Sequence, residues 1–145
     1  GIAYLIANRE TLKWGGFTHA FDDDHLLLKF TSWYSNQKRA VKRNIVYLDH
    51  CKFARREFLE QVLPLPKVEI FEDTLLSKGL FKAAGGPEIL PFKSVTSAIR
   101  FKKNGVFKQA IVNQWLKLRF HLGGDHRKMN GLYEKKLDFN SPKSD

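Results

Sequence analysis

An α/β fold, a mixed sheet flanked by amphipathic helices, is predicted by three features of this sequence. Helical periodicity comes first: His25 to about Lys42, Glu72 to Ala84 and Asn104 to about Leu122 each repeat apolar residues at helical spacing. Short β-compatible stretches separate them, at Lys13–Phe21, Ile45–Leu48, Ile89–Leu90 and Lys93–Ala98, among Gly, Pro and Asp residues that break helices. Composition is the third: 145 residues at 43% hydrophobic, with 12 Phe, 3 Trp and 4 Tyr, can bury one modest core.

Gly1 to Ala7 is apolar and helix-compatible, and a start at Gly1 in place of Met leads us to expect a tag remnant or a piece of a longer chain. In Lys13–Phe21 (KWGGFTHAF) the pair Gly15-Gly16 interrupts a strand pattern, which predicts a bulge or the close approach of another backbone. Asp22-Asp23-Asp24 suits a helix start, where side-chain oxygens accept from unpaired N–H groups, and capping accounts for the triplet without a metal ion. In the helix from His25, Leu26, Leu27, Phe30, Trp33, Tyr34 and Val41 share a face, the kind of aromatic stripe that packs into a core. Ile45–Leu48 reads as a short strand broken by Asp49-His50, with extended structure resuming at Cys51–Ala54. Arg55–Val62 is a short helix with Phe58, Leu59 and Val62 inward, and Leu63–Pro66 (LPLP) a rigid turn.

The stretch Lys67–Pro87 (KVEIFEDTLLSKGLFKAAGGP) organises the chain. Leu76, Leu80 and Ala83 recur at helical spacing, and Gly85-Gly86 then Pro87 end the pattern where a left-handed cap is expected. Glu72-Asp73 falls in the first turn, facing the partial positive charge of the helix start. An ionised carboxylate on a rigid element is what a general base requires, and the same placement also suits an ordinary helix start. Further on, Ser94, Thr96 and Ser97 form the polar side of an extended segment around Pro91. The helix to Leu122 carries the apolar line Phe107, Ile111, Trp115, Leu118 and Leu122, with Trp115 read as core, and stops at Gly123-Gly124. Asp125 caps a last short helix reaching Leu132; residues 1–137 are expected to form one domain, and 138–145 a loose tail.

Charge is the strongest electrostatic fact. The formal net charge is +10, with pI near 9.8, which attracts polyanions such as nucleic acid, acidic lipid head groups or phosphorylated ligands. Lys38–Arg56 holds seven Lys or Arg against the single acid Asp49, and Arg100–Arg119 holds six and no acid. No helix-turn-helix, zinc-finger or RNA-recognition signature accompanies them. Cys51 is the sole cysteine, so no intramolecular disulfide forms and a reducing compartment fits. No apolar run approaches the length of a bilayer span. These features lead us to expect a cytoplasmic protein, peripheral to the inner face of the membrane. The five His show no zinc spacing, and no G-x-S-x-G marks a serine hydrolase.

Five motifs stand in order: Gly15-Gly16-Phe17, Tyr47-Leu48-Asp49-His50, Phe53-Ala54-Arg55-Arg56, Phe71-Glu72-Asp73-Thr74-Leu75-Leu76-Ser77 and Thr96-Ser97-Ala98-Ile99-Arg100. Together, over about Ile2 to Gly123, they resemble the acceptor-side half of a family 2 glycosyltransferase with the GT-A fold, in its small bacterial branch. The resemblance implies a partial GT-A-type mixed sheet and inverting transfer of a sugar from a nucleotide sugar to an acceptor hydroxyl. It makes Asp73 the base, Glu72 its neighbour at the helix start and Asp49 a residue near the site, with Arg100, Lys102 and Lys103 stabilising the departing diphosphate.

The chain also departs from that pattern. No Gly-rich phosphate loop and no D-x-D after a hydrophobic strand are present, and Asp22-Asp23-Asp24 follows Gly-Gly-Phe and does not replace it. The expectation is therefore half an enzyme, incomplete and inactive alone, with no cofactor within this chain and a divalent Mn or Mg only with the missing half. The expected partners are the nucleotide sugar and acceptor, an anionic lipid surface, and a second copy paired through an exposed sheet edge. A basic module for nucleic acid or an anionic membrane, and a folded remnant without catalysis, are the alternatives.

Overall fold

The computed structural model describes residues 1–134, apart from the side chains of residues 126 and 132–134. The expected tail at 138–145 lies outside the described residues. The chain forms two compact units, one of residues 1–66 and 72–98 and the other built around residues 67–71 and the helices after Ala98.

The first unit is organised on a three-stranded mixed sheet, order β2-β1-β3. Strand β1 (Trp14–Phe21) pairs antiparallel with the two-residue β2 (Phe53–Ala54) and parallel with β3 (Glu88–Thr96). The glycine pair explains the tight pairing. A Cβ on Gly15 would lie 1.9 Å from the Glu88 carbonyl oxygen, and one on Gly16 2.8 Å from a Val46 methyl, so β3 and the Val46 segment approach where side chains are absent. The two stretches expected around Pro91 are one strand. Its register against β1 jumps between Phe17↔Leu90 and Thr18↔Lys93, which takes Pro91 and Phe92 out of the ladder in a bulge, where a residue without an N–H is tolerated. The outer edge of β3 pairs with no strand among the described residues.

Helices α1 (Ile2–Ala7), α2 (Leu26–Tyr34), α3 (Arg56–Val62) and α4 (Glu72–Ala84) complete this unit. Its core joins Trp14, Ala40, Val46 and Leu80, with Phe58, Val62, Leu76 and Ile89 packed against them. The Trp14 indole N–H donates to Gly85 O at 2.8 Å, tying β1 to the end of α4, where Gly85 takes the expected left-handed turn at φ 87°. At the start of α2 the cap is His25, whose Nδ1 accepts from Leu27 N–H. Asp23 Oδ1 instead accepts from His25 N–H, and Asp22 Oδ1 from Ala98 N–H.

Three expectations are corrected here. The aromatic stripe of the first long helix is not core: Leu26, Phe30, Trp33 and Val41 are exposed, and the buried face is Leu28, Ser32, Ser35, Asn36, Arg39 and Ala40. The reason is that α2 continues as a π-helix (Ser35–Val41), which turns polar residues inward to serve β1. Beyond the short β2, where β1 has no strand neighbour among the described residues, the Asn36 amide accepts from His19 N–H and donates to His19 O, both at 2.9 Å. Ile45–Leu48 is not a strand; Val46 is held by the Ser77 side chain, and Leu48–His50 is a 3₁₀ turn. Ser94, expected on a polar face, is buried and donates to Asp49 O at 2.7 Å.

In the second unit, α5 (Ile99–Asn104), α6 (Val106–His121) and α7 (His126–Glu134) follow one another. Gly105, at φ 82°, separates α5 from α6, where the sequence suggested one helix from Asn104. The core here is Ile70, Leu116 and Met129, with Phe71, Val112 and Phe120 against it. Asp125 caps α7 as expected, its Oδ1 accepting from Arg127 and Lys128 N–H; these bonds, the Lys128 one first, hold its carboxyl below the usual range. The apolar line Phe107, Ile111, Trp115, Leu118 and Leu122 is exposed, which corrects the reading of Trp115 as core.

Candidate functional site

Asp73 is the second residue of α4 and half-buried. Its carboxylate takes backbone hydrogen bonds from Leu48 and Thr74. Lys52, just before β2, reaches the first turn of α4: its Nζ donates to the Asp73 main-chain O at 2.8 Å and to Ser77 Oγ at 3.0 Å. Ser77, fully buried one turn further along α4, is the junction. Its Oγ accepts from Val46 N–H at 3.1 Å and lies 2.9 Å from Val46 O and 2.8 Å from Asp73 O, one of which receives its proton.

The electrostatics follow from burial. Desolvation pushes the Asp73 carboxyl above the usual carboxylate range; Lys52 opposes this, Glu72 adds to it, and the Leu48 and Thr74 N–H groups oppose it. Lys52 is pushed down to about 8 by burial, against the pull of Asp73 and Glu72. A carboxylate whose proton affinity is raised, beside an amine whose proton affinity is lowered, is the kind of pair that occurs where protons are exchanged. Tyr47 stands at the same place. Burial raises its hydroxyl first of all, and Asp73 and Asp49 add to this, while Arg39 and Arg43 oppose it. Arg39, buried, stacks between the Tyr34 and Tyr47 rings at 5.0 and 5.4 Å.

Asp49 belongs to a second, adjoining cluster. Its Oδ2 is 3.6 Å from His19 Nε2 and its Oδ1 3.9 Å from His50 Nε2, with both imidazoles buried. His50 donates from Nδ1 to Phe17 O at 2.9 Å, and its Nε2 is 3.0 Å from Ser35 Oγ. Burial lowers both His pKa values, against the pull of Asp49. His19 makes no side-chain hydrogen bond.

Non-glycine residues in left-handed backbone flank these groups. Asn44 (φ 56°) precedes the Val46 segment, Cys51 (φ 46°) precedes Lys52, and Phe71 (φ 65°) precedes Glu72-Asp73. Each costs on the order of 1 kcal/mol or more, and such strain concentrates where side chains must be aimed.

Of the residues singled out from the sequence, Asp73 and Glu72 share the start of α4, with Glu72 exposed, and Tyr47 links Asp73 electrostatically to Asp49. Arg100, Lys102 and Lys103 stand on α5 in the second unit. Tyr47 and Ser77 stand in the quoted motifs without a role, and Lys52 and His19 were not singled out. Lys52 was legible only as one of seven cations in a basic segment, and burial alone distinguishes it. A groove of about 470 Å³ lined by Arg9, Glu10, Arg55, Arg56, Glu57 and Glu60 holds none of these site residues, and its charges pair among themselves. Among the described residues no group of three His, Cys, Asp or Glu is arranged to hold a metal ion.

Compared with protein-family models, curated proteins and solved structures, the chain gives no match. What stands is a mixed α/β architecture with a three-stranded mixed sheet and, among the described residues, seven α-helices.

Proposed function

We propose that the chain supplies the acceptor side of an inverting glycosyl transfer on a partial GT-A-type scaffold, with Asp73 as the base that takes the acceptor hydroxyl proton. The observation that carries this is the setting of Asp73: rigid helix start, backbone N–H support and a raised proton affinity beside the tempered Lys52 cation. A hydroxyl attacking an anomeric carbon loses its proton as the bond forms, so a half-buried carboxylate of raised basicity matches the need. Lys52 holds the first turn of α4 and tunes Asp73, and Tyr47 and Asp49 supply hydrogen-bonding groups for a polyhydroxylated acceptor. The donor nucleotide and its divalent ion are assigned to a partner half; Arg100, Lys102 and Lys103, which the resemblance gives to the departing diphosphate, lie in the second unit and are not part of the Asp73 site.

The disposition of the first basic segment favours this reading over a nucleic-acid module. Arg39 is buried between two tyrosines, Lys52 is committed to Asp73 and Ser77, and Arg55 and Arg56 pair with Glu57 and Glu60. Of the segment's seven cations only Lys42, Arg43 and Arg56 are exposed, Arg56 within an ion pair, and a phosphate-tracking stripe requires a longer exposed run.

The test is an amide NMR titration of the full chain with a panel of methyl hexosides. Saturable changes at Leu48, Asp73 and Thr74, weakened about tenfold by Asp73→Asn, are expected; an unchanged spectrum across the panel overturns the reading. Calorimetry with nucleoside diphosphates, with and without Mn, should give no saturable heat. Metal-dependent binding would place a donor site on this chain and overturn the two-sided division.

A further inference from the structure

Helix α6 is apolar on two opposite faces. One face packs: Leu116 and Gln109 are buried, and Val112 and Phe120 join Ile70, Phe71 and Met129 in the core of the second unit. The other carries Phe107, Ile111, Trp115 and Leu118, continued by Leu122 at the C-cap, and these are 69%, 69%, 43%, 58% and 77% exposed. At about 100° per residue the five fall within an arc of about 80°. A helix with apolar residues all round is normally covered all round. Scattered exposed apolar residues need no explanation, but five in one continuous stripe do.

The border of the stripe says what covers it. Lys108 and Arg119 lie along one side, both exposed, and Arg119 stacks on the Trp115 ring at 4.9 Å. Exposed Gln114 and His121 lie along the other side. From Arg100 to Arg119 the chain has six Lys or Arg and no acid. An apolar partner protein surface needs no such one-signed border. A bilayer surface with anionic head groups does, because the apolar residues enter the head-group boundary while the flanking cations meet the phosphates. Trp115, a ring with a polar N–H, is the residue type enriched at that depth.

We infer that the exposed stripe of α6 docks on an anionic phospholipid surface, with α6 lying in the plane of the interface. No helix among the described residues is long and apolar enough to cross a membrane, so docking on the surface is the mode α6 can adopt. The assignment rests on α6 alone and stands whether or not Asp73 is a base.

The experiment is co-sedimentation of the full chain with vesicles of phosphatidylcholine alone or mixed with phosphatidylglycerol, in low and high salt. Tryptophan emission is followed in a Trp33→Phe background, since Trp14 is buried and leaves Trp115 as the reporter. Expected are binding to the mixed vesicles only, a blue shift of emission, and loss of both in Ile111→Glu/Leu118→Glu. Lys108→Glu/Arg119→Glu should weaken binding by about tenfold or more and remove its salt dependence. Melting curves check that each variant folds, and the substituted side chains are exposed. Equal binding to neutral vesicles, or unchanged binding by Ile111→Glu/Leu118→Glu, overturns the inference. So does self-association in ultracentrifugation that the apolar double variant abolishes while vesicle binding is absent, which would assign the stripe to a second copy of the chain.

Discussion

Replacing Lys52 by Met isolates the electrostatic relation at the proposed site. Burial lowers Lys52 from 10.5 to about 8, so the folded state favours the neutral amine. Such a group contributes stability that is present above its unfolded pKa and lost as pH falls through its folded one. At about 1.36 kcal/mol per pH unit, the displacement corresponds to about 3 kcal/mol, which residual solvent access reduces to about 2. Wild-type stability should therefore rise by about 2 kcal/mol between pH 8 and 10.5 from this group alone, a rise that Lys52→Met lacks. Near pH 7 the variant should fold at least as well as wild type. Met fills similar space, and Ser77 Oγ keeps its contacts with Val46 and Asp73. The variant should also raise the Asp73 pKa further, because Lys52 is the leading influence that lowers it. Urea denaturation across pH 7 to 10.5, with carboxyl-carbon NMR of Asp73, measures both. Parallel stability–pH curves for the two proteins, or an Asp73 titration unmoved by the substitution, would refute the reasoning.

Other outcomes follow from the same structure. Because the Asp73 pKa is raised, its protonated form contributes stability that is lost as pH rises through the folded value, so Asp73→Asn should melt above wild type at pH 7, with the gap closing toward pH 3. His19 and His50 are lowered, burial being the larger cause, so their contribution is present above pH 6.5 and lost as pH falls through the folded values; melting curves of wild type should drop more steeply on acidification than those of His19→Asn. Gly15→Ala should cost about 3 kcal/mol or abolish folding, since its Cβ would meet the Glu88 carbonyl at 1.9 Å, and denaturant melts check this. On α2, Phe30→Ser should stay within about 0.5 kcal/mol of wild type while Leu28→Ala costs about 2–5 kcal/mol, opposite to what the aromatic stripe suggests.

Local signals carried the elements whose causes are themselves local. The bounds of α4, the left-handed turn at Gly85, the Asp125 cap and the close approach at Gly15-Gly16 each depend on a few adjacent residues and their backbone requirements, so they are legible in the chain. Placing Asp73 in the first turn of α4 came from the same source.

Periodicity marks which residues share a helix face, but burial depends on what lies opposite, and there the reading from sequence failed twice. On α2 and its π continuation the polar face turned inward, because β1 has no strand neighbour beyond β2 among the described residues and the Asn36 amide pairs with His19, as the His50 ring does with Phe17 O. On α6 two apolar faces compete for one core, and Leu116 with Val112 took it. Lys52 is the same lesson in charge: by sequence it is one cation among seven, and only the fold brings it to Asp73 and Ser77. The sequence by itself determined the mixed α/β character, most helix ends and the candidate carboxylate, all set within a few residues of backbone. Tertiary structure alone decided which faces are buried and which charges meet, because desolvation and Coulomb interaction depend on distances between residues far apart in the chain.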